Sequence, residues 1–84
     1  MPNTVEVLLS QDQALVLFEF FSRFSETNQL RLKNNAEFVA LSEIAAQIEQ
    51  TLVQPLQPDY SDLLAGAQAR LADGYEGIAP GVEP

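Results

Sequence analysis

The chain has 84 residues, enough for one small domain with a thin core. It contains no cysteine and no histidine, which excludes disulfides, thiolate or imidazole metal ligands, and Ser-His or Cys-His nucleophile pairs. Twelve Asp and Glu against four Lys and Arg give a net charge of -8. Phosphate backbones and anionic membrane surfaces would be repelled, so neither nucleic acid nor membrane is expected as a partner, whereas a basic protein is compatible.

Residues 4–9, Thr-Val-Glu-Val-Leu-Leu, are β-prone and alternate, with Val5, Val7 and Leu9 on one side, and are read as a short strand. Ser10 then supplies a helix cap, and Gln13 stands three residues on, where it can complete a capping box. The helix that follows, to about Glu26, holds four of the five phenylalanines. Ala14, Leu17, Phe18, Phe21 and Phe24 fall on one face, with Phe20 at its edge. Asp12, Glu19, Arg23 and Glu26 form a polar stripe opposite, flanked or interrupted by Leu15 and Val16. That apolar arc is wider than a one-sided surface helix needs. Either neighbouring helices enclose it, or Leu15, Val16 and Phe20 meet another chain.

Thr27-Asn28 breaks the pattern, and residues 29–33 alternate polar and apolar as a second strand or an extended linker. Pairing of the two strands would bring Glu6 near Arg31 or Lys33. A lone two-stranded ribbon is marginal in water and would need support from the first helix or from a symmetry mate. Arg23, Arg31 and Lys33 cluster in sequence near the end of the first helix. They either complement its C-terminal dipole or form a local contact for an acidic group.

Asn34 caps a second helix, with Glu37 three residues later. Phe38, Leu41, Ala45, Ile48 and Leu52 mark its buried stripe to about Val53, and Pro55 ends it. Residues 54–58 form a stiff connector pinned by Leu56, and Pro58 or Asp59 opens a third helix. Its stripe is Tyr60, Leu63, Leu64, Ala67 and Leu71. Gly66 lies off that stripe, which implies a weak helix or a close approach by another backbone. Gly74 is the stop. Residues 74–84 carry three glycines and two prolines, and are either a flexible tail or a docking segment anchored by Tyr75, Ile78 and Val82.

The segment from Leu9 to Phe21, containing Ala-Leu-Val-Leu-Phe-Glu, with Ala36-Glu37 and the run from Pro55 to Leu64 containing Pro-Asp-Tyr, resembles a group of short bacterial proteins. The resemblance spans residues 5 to 73 or so and implies a compact domain of bacterial or phage origin. It implies no activity, cofactor or catalytic residue.

The fold class expected is mainly α: a three-helix domain over residues 4–73 with a short two-stranded ribbon or extended segments, and the first helix between the other two. No glycine-rich phosphate loop or Gly-x-Ser-x-Gly elbow is present, and capping accounts for the carboxylate pair Asp59 and Asp62. No catalytic residue, cofactor or metal is therefore expected. No secretory leader is visible, and no apolar run reaches the ~20 residues that span a bilayer, which makes the cytoplasm the default compartment. The functional expectation is a noncatalytic acidic interaction module of antitoxin, immunity or inhibitor type, covering a basic site on a protein partner. The alternative is an assembly subunit whose first helix mediates homo-oligomerisation, with a homodimer expected. The interaction residues expected are Leu15, Val16, Phe20, Arg23, Arg31 and Lys33.

Overall fold

The computed structural model describes residues 3–27 and 30–83. The protein is a three-helix, mainly α chain: α1 Gln11–Thr27, α2 Asn35–Thr51 and α3 Tyr60–Ala72, with a 3-10 turn Gln54–Leu56 between α2 and α3. α1 is the central element. It packs on α3 over the larger contact and on α2 over a smaller one.

The helix starts are built from their own side chains. The Ser10 hydroxyl accepts from the Gln13 N–H at 3.1 Å, and the Gln13 side-chain oxygen accepts from the Ser10 N–H at 2.8 Å. This reciprocal box satisfies two donors that the first turn would otherwise leave open. At α2 the Asn34 side chain accepts from the Glu37 N–H at 3.1 Å, but the Glu37 carboxylate reaches past the cap to the Lys33 N–H at 2.6 Å. α1 and α2 end alike. Thr27 Oγ1 donates to the Arg23 carbonyl, and Thr51 Oγ1 donates to the Gln47 carbonyl, both at 2.9 Å. α3 starts after Asp59, whose side chain makes no capping bond, and ends where Gly74 takes a φ of 84°. There the Tyr75 N–H donates back to the Ala72 carbonyl. Glycine occupies that left-handed conformation without the Cβ penalty that other residues incur.

The core is small. Leu15, Ile48 and Ala67 are its buried members. Leu17, Phe18, Phe21, Phe24, Leu41, Ala45, Leu52, Leu63 and Leu64 are half-buried around them. Leu15, read from the sequence as flanking the polar stripe, is instead the most enclosed residue of α1. The reason is that Leu15 shares a face of α1 with Asp12 and Glu19, three and four residues away, and those two bind Arg70 and Tyr60 of α3.

Three further expectations are corrected. No strand occurs among the described residues. Residues 3–9 are exposed, hold no regular secondary structure and make no hydrogen bond with another described residue. Residues 30–33 form an irregular connector, and Gln29 lies outside the described residues. The expected pairing of Glu6 with Arg31 or Lys33 therefore has no ladder to hold it. Leu56 does not pin the connector: it is 88% exposed, and Pro55 is the half-buried residue there. The 3-10 turn rotates Leu56 outward, because its N–H closes onto the Val53 carbonyl at 3.1 Å.

Candidate interaction surface

Two side-chain bridges fasten α3 to α1. Arg70 donates through Nε and Nη2 to both oxygens of Asp12, at 2.7 and 2.9 Å. The hydrogen bond from Arg70 holds the Asp12 carboxyl below the usual carboxylate range; desolvation opposes it and the Arg70 charge adds to it, while Asp12 raises the Arg70 pKa in turn. Gly66 explains how Arg70 reaches across. A Cβ at residue 66 would lie 3.2 Å from Arg70 Nη1, so the glycine leaves the lane that the guanidinium occupies. The close approach expected at Gly66 is made by an arginine side chain rather than by another backbone.

The second bridge lies near the middle of α1. The Tyr60 hydroxyl donates to Glu19 at 2.8 Å, and the Tyr60 ring meets Phe18 edge-to-face at 6.4 Å. Burial, followed by the Glu19 carboxylate, pushes the Tyr60 pKa up to about 12. The phenol therefore stays a donor throughout the neutral range.

Several open grooves surround this fastened pair among the described residues, one of about 170 Å³ lying between Phe21, Phe24, Phe38 and Leu41. The largest, about 550 Å³, runs between residues 5–9, α1 and α2; Val5, Val7 and Leu9 form one wall, and Leu17, Ile44 and Ile48 lie among the residues opposite. Among the described residues, no charged one lines it. A second groove, about 490 Å³, lies where the C-terminal segment passes beside α1 and α3, with Val16, Leu71, Tyr75, Ile78 and Val82 among its walls. The third is a shallow pocket of about 210 Å³ at the C-terminal end of α1, lined by Phe20, Arg23, Phe24, Thr27 and Leu30.

The expected interaction residues, Leu15, Val16 and Phe20 on one hand and Arg23, Arg31 and Lys33 on the other, are distributed among these features. Leu15 is buried inside the chain. Val16 faces the C-terminal groove. Phe20 and Arg23 share the small pocket, with the Arg23 guanidinium 5.7 Å from the Phe20 ring centre. This cation–π contact, rather than the α1 dipole, holds Arg23, which sits a turn short of the helix end. Arg31 and Lys33 are exposed on the connector before α2.

The residues that sequence reasoning missed are those of the largest groove, Val5, Val7 and Ile44. For Val5 and Val7 the signal is the Val5-Val7-Leu9 alternation, which reads as a short strand. No group of three or more acidic side chains gathers as a metal site among the described residues, and no helix is long and apolar enough to cross a membrane. The chain matches no protein-family model, no curated protein and no solved structure.

Proposed function

We propose that the protein is a noncatalytic interaction module that covers a basic site on a protein partner. The observation that carries this reading is the coexistence of open apolar grooves with an acidic surface whose cations are few and partly engaged. Arg70 is held by Asp12 and Arg23 lies over Phe20, whereas Glu26, Glu43, Glu49, Asp62 and Asp73 are exposed. Long-range attraction would steer a basic partner toward this surface, and apolar contact would then hold it. The test is capture and identification of the partner from the source cell, followed by stopped-flow association with the purified pair. A basic partner is expected, with an association rate falling about tenfold or more between 50 and 500 mM salt. A rate indifferent to salt would overturn the reading.

A second reading, a subunit that assembles with copies of itself, is favoured by the amount of surface left exposed. The chain exposes 7234 Å², where a compact monomer of its mass exposes about 4,900 Å². Its radius of gyration is 14.4 Å, against about 12 Å for a compact chain of this length. Leu15 is unavailable for such a contact, so an α1-centred interface would draw on Val16 and Phe20 at the rim.

A further inference from the structure

We infer that two copies of the chain join through their N-terminal arms, with residues 5–9 of each pairing antiparallel about Val7 and the resulting ribbon closing the groove between arm, α1 and α2. The inference rests on the assembly reading above and names its site.

Three observations converge on the arm. First, residues 3–9 are exposed and hold no regular secondary structure, and their backbone groups make no hydrogen bond with another described residue. An exposed run of unpaired N–H and C=O groups in a β-prone sequence is a template for another strand. Second, Val5 is 89% and Val7 74% exposed, although both line the groove. The arm stands beside the groove without filling it. Third, the surface in excess of a compact monomer is about 2,300 Å² per chain, more than twice the ~800 Å² that each partner contributes to a standard-size interface. A second copy supplies both missing components, a strand partner and a cover.

The register follows from charge and face. Around a two-fold axis, antiparallel pairing places residues of the same parity opposite each other, so the choice is between centres at Glu6 and at Val7. A centre at Glu6 would set two carboxylates face to face, which is unfavourable. A centre at Val7 sets Val7 against Val7, Val5 against Leu9, and Glu6 against Leu8. It also directs Val5, Val7 and Leu9 of both chains to the same side of the ribbon. That is the side each chain already turns toward its own groove. A free ribbon of two strands is marginal, but here each strand rests on a helix pair.

Each copy carries a charge of -8, so the copies repel. Salt therefore strengthens this dimer, the reverse of its expected effect on a basic partner.

The experiment uses the purified full chain. Its mass is followed by sedimentation across a concentration series, at 50 and 500 mM salt, for wild type, Val7→Pro, Val7→Asp and Val16→Asp. The expected result is a reversible dimer that tightens at the higher salt. Both Val7 substitutions should weaken it tenfold or more, with the helical circular dichroism unchanged, and Val16→Asp should leave it intact. Because the chain has no cysteine, Val7→Cys reports the register directly. It should cross-link on oxidation at least tenfold faster than Glu6→Cys, whose two thiols would sit on a diagonal of about 7–8 Å. A monomer at all concentrations overturns the assembly reading and this inference with it. A dimer indifferent to both Val7 substitutions, or one in which Glu6→Cys cross-links as fast as Val7→Cys, overturns the arm site and leaves assembly standing.

Discussion

The two sides of α1 are finished to different degrees. Toward α3 the contact includes a bidentate Asp12–Arg70 pair, a Tyr60–Glu19 hydrogen bond and an edge-to-face ring contact, with Ala67 wholly enclosed. Toward α2 the buried residue is Ile48, supplemented by a Phe24–Phe38 ring contact at 6.5 Å. No side-chain hydrogen bond or ion pair crosses that interface among the described residues. The difference follows from residue size and reach. α3 buries the small Ala67 completely, and its long polar side chains at Tyr60 and Arg70 reach across to α1, Arg70 along the lane that Gly66 leaves open. α2 presents Ile44 and Ile48 beside a groove that the α1 side chains do not fill. One interface is complete within the chain, and the other has room for more protein.

Core truncation on the two sides should separate them most widely. Leu15→Ala removes an enclosed side chain under α3, and should cost about 3–4 kcal/mol in equilibrium unfolding. Ile48→Ala removes a side chain from the floor of an open groove, where water can enter and little dry cavity forms. It should cost about 2 kcal/mol, near the transfer contribution alone. Urea unfolding, followed by circular dichroism at a concentration low enough to keep the chain monomeric, measures both. Equal costs would mean that the α2 side is as tightly closed as the α3 side.

A smaller effect isolates the Tyr60 bridge. A phenol whose pKa is higher in the folded state stabilises the fold fully below its unfolded value near 10, and that contribution is lost as pH rises through about 12. Tyr60→Phe removes the hydrogen bond to Glu19 and should cost about 1–2 kcal/mol at neutral pH. Between pH 10 and 12 the wild type should lose its advantage over the variant. Parallel stability curves for the two proteins across that window would show that Tyr60 does not depend on its proton there.

How much of this was legible depends on the range of the interaction involved. The Ser10–Gln13 box and the Asn34 cap are contacts over three residues, and the sequence spacing alone identifies them. The stripes of α2 and α3 place Ile48 and Ala67 inward by rotation alone, since a single helix carries that information. The position of Leu15 depended on which side of α1 receives α3, and an arc this wide is compatible with covering from several directions. The arm was misread because alternation specifies a strand's faces but not its partner. Within one chain, residues 30–33 do not supply one. Arg70 and Asp12 are 58 residues apart, and nothing in either local pattern announces their pairing; Gly66 was the only trace, a small residue in a helix with no evident reason to be there.

That trace gives the smallest of the tests, because two opposing effects meet at one position. Gly66→Ala removes the conformational entropy penalty of a helical glycine, a gain of up to ~1 kcal/mol. It also places a methyl 3.2 Å from Arg70 Nη1, and that neighbour must yield by a few tenths of an ångström. The guanidinium is the far end of a flexible side chain and more than half exposed, so it can yield without disturbing α3. The net change should therefore be a stabilisation of less than 1 kcal/mol, accompanied by a loosened Asp12–Arg70 pair. The pairing shows in titration: a carboxyl held low by arginine returns toward the ordinary aspartate value as the arginine moves off. Carbon-detected NMR of the Asp12 side chain should report that upward shift in Gly66→Ala, and a fuller one in Arg70→Gln. If Gly66→Ala destabilises the fold while Asp12 keeps its low pKa, the guanidinium has held its place and α3 has moved instead. The fastened side of α1 would then owe its rigidity to the arginine itself rather than to the close fit of the two helices.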